Sequence, residues 1–487
     1  MIEEGDIQAL VLNSYADLPH AALLPLSAAN GADVRGALTD LSSTLRFWRK
    51  NQAAPTRVAH VALSASGLRK LDLEEEALRG FSVPFLEGMA GSENRSRDLG
   101  DLETSHPSTW DWGAADKSVD ALLLLYARTS GDLQASVATS KAAAAARGLS
   151  LVTADPLEAA WLNAPGVEGF REHFGFVDGI SQPALDLDGK GEPDDFRREF
   201  VAPGELLLGY VNEKRAIAPG ATVSPTAAAR RVGLAPLPNT PRLDLGRNGT
   251  YLVVRQLEQK VLGFWGFAKA HADVIGSTEL CGAKLMGRWR NGAPLSRFPV
   301  APGSLSGKVD ENEFEFRTNK DETGMRCPIG AHTRRANPRD ALLGSSPRSS
   351  WAEVQRHRIL RRGRPYGPQL PGWPDPEKML KQAAGAPDTG SRGMYFICIN
   401  ADIAEQFEHV QQRWLNDPTF VNPANLEVDP IVGRTRARSR FTVPRDPTPV
   451  LLGEHGVSCE RFVRMRGGGY FFLPSRRALS YLAATDR

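Results

Sequence analysis

The chain has 487 residues, 41% of them hydrophobic, and a formal net charge of +2. That length supports a large buried core, either as two domains or as one pseudo-symmetric unit. The near-neutral charge gives no global argument for nucleic acid as a partner. Four cysteines, Cys281, Cys327, Cys398 and Cys459, lie far apart with no CxxC or zinc spacing, and read as reduced thiols. The N-terminus is acidic and lacks a basic region, a twin-arginine pair and a long apolar run. Neither a signal peptide nor a membrane span is expected, and the expected location is cytoplasmic.

In chain order, residues 6–12 (DIQALVL) read as a short strand. Residues 60–63 (HVAL), a Ser-Ala-Ser-Gly turn and an amphipathic start at Leu68 read as strand, turn, helix. Residues 119–127 (VDALLLLYA) are almost wholly apolar but too short to span a membrane, which predicts a buried central strand. Residues 133–147, with an alanine run at 142–146, predict a helix stopped by Gly148. Residues 149–152 resume as a strand. Residues 184–198 are highly polar and read as a surface connector.

The second half has predicted strands at 205–210 (ELLLGY), 250–257 (TYLVVRQL), 357–362 and 394–399 (MYFICI). Predicted helices cover 268–289 and 402–415. Segments 212–241, 297–325 and 368–390 are rich in turn-forming residues and read as excursions. The halves share an order of elements without a detectable sequence repeat, which predicts two α+β halves around one site.

Three places carry chemistry. Residues 326–339 (RCPIGAHTRRANPR) hold His332 among Arg326, Arg334, Arg335 and Arg339, with Gly330 and two prolines opposing helix at the ends. Imidazole ligates haem iron, and arginines suit the two carboxylates that a haem carries. A basic surface loop with a stray histidine has the same composition. Asp178 lies in GFVDG (175–179), where flanking glycines let the backbone turn sharply and present a carboxylate; an ordinary Asp-Gly turn reads alike. Arg361 lies in ILRRG (359–363), where strand alternation sends one of Arg361 and Arg362 inward. Ten arginines fall between residues 326 and 364, against Asp340 and Glu353. Trp351 is the sole aromatic side chain of the Phe, Trp or Tyr type there, so a bound polyanion or carboxylated cofactor fits at least as well as nucleic acid.

The blocks GFVDGISQP, CPIGAHTRRANPR, ILRRGRPYG and RGMYFICINADIAEQFEHVQ occur in the order of the signature blocks of the dye-decolorizing peroxidases. PGELLLGYVNE, NGTYLVVRQLEQKV, AKLMGRWRNGAPL, GGGYFFLPS and the early SGLRKLDL resemble further blocks, so the likeness runs through most of the chain. Length and long excursions resemble the larger bacterial and fungal-like members. The resemblance implies an α+β fold of two ferredoxin-like halves enclosing haem b, at 1–200 with the distal Asp loop and at 201–487 with the proximal His and distal Arg. It implies His332 as iron ligand, and Asp178 and Arg361 as the catalytic pair on the opposite face, with Gly179 beside them. Arg334 would lie near a haem carboxylate, with Arg339 as a second candidate. Met394 and Phe396 fall at apolar distal positions. Asp402, with Glu405 nearby, falls where a carboxylate backs the ligand. Arg326 and Arg335 read as solvated. Gly363 departs from the pattern, because some members carry a polar Asn there.

The implied activity is reduction of hydrogen peroxide to water. Dyes, phenols or other aromatic reductants would then be oxidised in one-electron steps through an oxo-ferryl haem. No nucleic acid or membrane partner is implied. A haem-storing or haem-sensing protein is the alternative; it would need His332 but neither Asp178 nor Arg361.

Overall fold

The computed structural model describes residues 2–163, 169–185, 187, 199–303, 312–342, 344–383, 390–420, 427–435, 439–453 and 461–485. Cys459 and most of the 184–198 connector lie outside the described residues, as do parts of the excursions at 297–325 and 368–390. Cys281, Cys327 and Cys398 are free and buried.

The N-terminal half supplies β1 (His20–Ala28), α1 (Gly31–Leu41), β2 (Arg57–Leu63), β3 (Ala121–Ala127), α2 (Ser130–Ala146), β4 (Leu149–Leu151) and β5 (Leu157–Ala160). Its strands lie in the order β2-β3-β1-β4, with β5 also on β1, and every pairing is antiparallel. The C-terminal half repeats this plan. It supplies β6 (Thr250–Gln259), α3 (Val261–Ala270), α4 (Thr278–Met286), β7 (Leu360–Arg361), β8 (Arg364–Tyr366), β9 (Gly393–Asn400), a helical segment over 404–415 and β10 (Val463–Leu473). The order is β7-β9-β6-β10, with β8 also on β9. Two βαββαβ units of the same strand order are two ferredoxin-like halves, and the fold class is α+β. They join edge to edge where Phe472 of β10 pairs with Leu63 of β2, giving one ten-stranded sheet.

Burial explains the well-read elements. All of β3 is buried, as a central strand requires. The 130–146 helix starts at a Thr129 side chain that accepts the Asp132 N–H, and Gly148 follows it with φ 74°.

Other readings need correction. Residues 6–12 form turns rather than a strand, with one bridge from Gln8 to Phe47. Their apolar side chains, Ile7, Leu10 and Val11, are buried without a ladder. Residues 205–210 likewise form a tight turn: Leu206, Leu207 and Leu208 are all fully buried, and Gly209 has φ 83°. The predicted 268–289 helix begins earlier, at Val261, and is broken at Gly276, where φ is 121°. The 404–415 segment is helical as expected but wound in wide turns, with Glu408 N–H reaching Ile403 O and Asn416 N–H reaching Gln411 O. Among the described residues no helix is long and apolar enough to cross a membrane.

Candidate active site

One face of the C-terminal half of the sheet forms a wall of a cavity of about 300 Å³. Alternation along the strands decides which side chains it carries. Arg255, Leu257 and Gln259 of β6 face it, with Met394 and Phe396 of β9 and Val463 and Met465 of β10 beside them. The register pairs Leu257 with both Met394 and Met465. Tyr395 and Ile397, between and beyond the cavity residues of β9, are buried on the opposite face.

His332 opens a one-turn helix, α5 (His332–Ala336), and lines the cavity together with Thr333, Ala336, Trp414, Ile431 and Val432. Its Nδ1 lies 3.0 Å from Asp429 Oδ2. Asp429 is fully buried, and its Oδ1 accepts the N–H groups of Ile431 (2.9 Å) and Val432 (2.8 Å). Burial alone would raise this carboxyl; His332, the Val432 N–H and Arg335 more than reverse that and hold it below the ordinary range. The carboxylate therefore accepts from Nδ1–H, which leaves the Nε2 lone pair of a cavity-lining ring without a hydrogen-bond partner among the described residues.

The same cavity is lined by Asp178 and Arg361, where Arg361 Nη2 lies 3.3 Å from Asp178 Oδ1 and 3.1 Å from Ile180 O. Both side chains of the pair are about a third exposed, 31% and 28%, because they face open volume rather than packed atoms. Asp178 Oδ1 also accepts the Gly179 N–H at 2.7 Å. The loop before Asp178 is held by Glu172, whose carboxylate accepts the N–H groups of Phe174 and Phe176 and the amide of Gln259. Burial pushes the Glu172 carboxyl up to about 7, despite those three bonds.

Two further guanidiniums, Arg339 and Arg358, line the cavity close enough to Arg361 for their charges to interact. Arg339 lies over the Phe314 ring at 3.8 Å and donates to Phe314 O and Ser181 Oγ. Arg358 donates to Ser181 O at 3.0 Å. Burial, together with the positive charges of Arg339 and Arg361, lowers the Arg358 pKa to about 9. That part of the cavity therefore has a positive potential suited to an anion.

Several assignments change. Arg334 does not line the cavity: it pairs with Asp321 at 3.2 Å, donates to Cys327 O and lies over Phe316, where it staples the loop leading to His332. Asp402 does not back His332 either; it accepts the Glu405 N–H, and Glu405 pairs with Lys214. Asp429 holds that place. Gly179 is exposed and acts through its N–H and a φ of 86°, not through contact with the cavity. Arg335 is fully buried, donating to the carbonyls of Trp414 and Glu427. His332, Asp178, Arg361, Arg339, Met394 and Phe396 are brought together around the cavity. At Gly363 an added Cβ would sit 2.8 Å from Tyr395 O and 3.2 Å from Met394 Sδ, so the wall has no space for a larger residue there. Reading the sequence missed Asp429, although Asp-Pro before Ile-Val-Gly is a recognisable side-chain-capped turn. It also missed Arg358, hidden among neighbouring arginines.

The donors fit a haem. A single imidazole suits a macrocycle that brings four nitrogen donors of its own, the sheet wall is apolar over Leu257, Met394, Phe396 and Met465, and the guanidiniums suit carboxylates.

No protein-family model matches the chain. Curated relatives do. A dye-decolorizing peroxidase of Mycetinis scorodonius is 28% identical over 475 residues, covering 92% of this chain and 80% of the relative. A multifunctional dye peroxidase of an Amycolatopsis strain is 29% identical over 473 residues, covering 93% and 90%. Among solved structures, an ancestral D-type dye-decolorizing peroxidase has a TM-score of 0.76 at 24% identity, over 99% of this chain and all of that one. A fungal enzyme from Auricularia auricula-judae gives 0.75 at 21% with the same coverage. The solved structures share the fold, and the sequence likeness to the curated relatives supports an enzyme of the peroxidase class, an oxidoreductase with peroxide as acceptor. The likeness in sequence over about nine-tenths of the chain, together with the shared fold, supports assignment to the dye-decolorizing peroxidase family.

Proposed function

We propose that the protein binds haem b through His332 and uses hydrogen peroxide to oxidise dyes and other aromatic donors in one-electron steps. The observation that carries this reading is a single cavity lined by both a carboxylate-backed imidazole and an aspartate–arginine pair.

Haem b, when bound, would supply a redox centre that takes two oxidising equivalents from peroxide and releases them singly. The chain's own groups do the rest. Asp429 fixes the His332 tautomer and orientation, and its negative charge makes the ring a stronger donor through Nε2. Asp178 takes the proton from the inner oxygen of peroxide and returns it to the outer oxygen, so that water leaves. Arg361 stabilises negative charge developing on that departing oxygen. Arg339 and Arg358 would hold the cofactor's carboxylates. Leu257, Met394 and Phe396 keep bulk water from the reacting oxygens.

Haem storage is disfavoured because it gives no task to the Asp178–Arg361 pair. The test is an absorption spectrum of haem-loaded protein before and after peroxide, followed by addition of an anthraquinone dye. A peroxide-induced spectral change that the dye reverses while it bleaches supports the reading. A haem spectrum inert to peroxide supports storage, and a colourless protein from haem-replete cells contradicts both.

A further inference from the structure

The face of the sheet turned away from the cavity carries a second group of chemistry-bearing side chains. Arg361 and Gly363 line the cavity, whereas Arg362 and Arg364 reach the other way. Arg362 donates to Leu10 O and Val11 O, and Arg364 to Ser14 O and Tyr15 O, all at 2.9 Å. Tyr15 therefore sits directly behind the cavity wall. Its backbone is held at φ 52°, a region that bulky residues rarely adopt, with Asn13 Oδ1 accepting its N–H.

The hydrogen-bond network assigns the protons. Gln8 Nε2 donates to Val61 O and Pro474 O, both at 2.9 Å, so its Oε1 is the acceptor. That oxygen lies 3.2 Å from Val61 N and 3.2 Å from His60 Nδ1, so Nδ1 carries a proton. His60 Nε2 is then a free base, and the Tyr15 hydroxyl, 2.9 Å away, donates to it. Both rings are buried, His60 fully and Tyr15 to 1% exposure. Burial, aided by Arg46, lowers His60 to about 3 and keeps it neutral and able to accept; burial likewise raises Tyr15, which stays a phenol. Tyr126 lies 5.3 Å from Tyr15, and Arg364 lies over Tyr126 at 5.4 Å and over Trp161 at 4.1 Å. Tyr366 and Tyr395 stack at 4.6 Å on the same face, but neither hydroxyl has an imidazole acceptor among the described residues.

We propose that Tyr15 and His60 form a proton-coupled redox site, on which one oxidising equivalent from peroxide rests when no donor is at hand. The proposal rests on the peroxidase reading of the cavity. One electron leaves the Tyr15 ring and reduces the peroxide-oxidised site by one equivalent. The phenolic O–H bond breaks, and its proton forms an N–H bond at His60 Nε2. The products are a neutral tyrosyl radical and an imidazolium that keeps its Nδ1–H bond to Gln8. When an aromatic donor supplies an electron, the proton returns and both groups are restored. Without the imidazole, oxidation would leave a buried phenol cation, which low-dielectric surroundings oppose.

The test is freeze-quench electron paramagnetic resonance of haem-loaded protein mixed with peroxide and no donor. The expected result is a radical signal that narrows with ring-deuterated tyrosine, is lost in Tyr15→Phe, and forms more slowly in D₂O and in His60→Gln. Haem content and melting temperature of each variant control for folding. A tyrosyl signal unchanged in Tyr15→Phe, or lost instead in Tyr395→Phe, overturns the proposal and marks the network as a satisfied polar core. Peroxide-induced spectral change without any Tyr15-dependent signal overturns it while leaving the peroxidase reading intact. A wild-type spectrum inert to peroxide removes both.

Discussion

Asp429 Oδ2 lies 3.0 Å from His332 Nδ1, and the same carboxylate is anchored by two backbone N–H groups at its other oxygen. A ligand ring is thus held by a group that cannot swing away. Asp429→Ala leaves those N–H groups without their partner and frees the ring. Loss of such a supporting partner costs roughly 10- to 100-fold in affinity or activity. Haem-binding titrations and stopped-flow mixing with peroxide measure it. Asp402→Ala, by contrast, leaves the haem spectrum unchanged, because Asp402 only caps the turn at Glu405.

The Asp178–Arg361 pair acts on peroxide rather than on haem retention. Asp178→Asn and Arg361→Leu each keep the haem. Both slow the peroxide reaction, and loss of a positioned base costs about 100- to 10,000-fold. Rapid-mixing absorbance gives the rates. Wild-type rates in both variants would remove the pair from the mechanism.

Arg334 and Arg358 separate structure from cofactor binding. Arg334→Ala leaves the buried Asp321 carboxylate unpaired and lowers the melting temperature of the haem-free protein. Arg358→Met removes a cation whose pKa burial and two neighbouring arginines have already lowered to about 9, so the haem-free protein loses little stability. Haem affinity falls instead, as read by spectral titration.

The sequence blocks located the imidazole, the distal pair and the two-half plan, because each sits on a short local pattern. Tertiary burial decided the remainder. Residues 6–12 look like a strand since Ile7, Leu10 and Val11 are apolar, yet the Leu10 and Val11 carbonyls accept from Arg362, 352 and 351 residues away, and the Ile7 carbonyl from the Trp48 N–H, rather than from a ladder. β1 was missed because Pro25 lies inside it. That proline falls between the stretch paired with β5 (His20–Leu23) and the stretch paired with β4 (Leu26–Ala28), where its missing N–H costs no ladder bond. Asp429 lies 97 residues from His332, and nothing local links them.

Gly363 is set by space. An Asn there would place Cβ 2.8 Å from the Tyr395 carbonyl. Gly363→Asn therefore destabilises the protein, by about 1–3 kcal/mol as overpacking does, and adds no peroxide reactivity. Thermal melts and peroxide kinetics check both halves of this statement.

Stability depends on pH through buried carboxyls. Burial, with the charges of Glu213 and Asp402, pushes Glu205 up to about 8 from an unfolded value of 4.5. Between those values the unfolded chain has lost a proton that the native state keeps, so stability falls as pH rises, and the fall ends above about 8. Glu172, at about 7, contributes in the same direction over a narrower window. Glu205→Gln flattens the decline of melting temperature across this range. An equally steep decline in the variant would reassign it.

The most direct measurement is the haem content and Soret spectrum of His332→Ala, purified beside wild type from haem-replete cells. Loss of haem, or a shifted Soret band that added imidazole restores, is the expected result. A variant with normal haem content and an unchanged spectrum would contradict ligation by His332 and the cavity reading built on it.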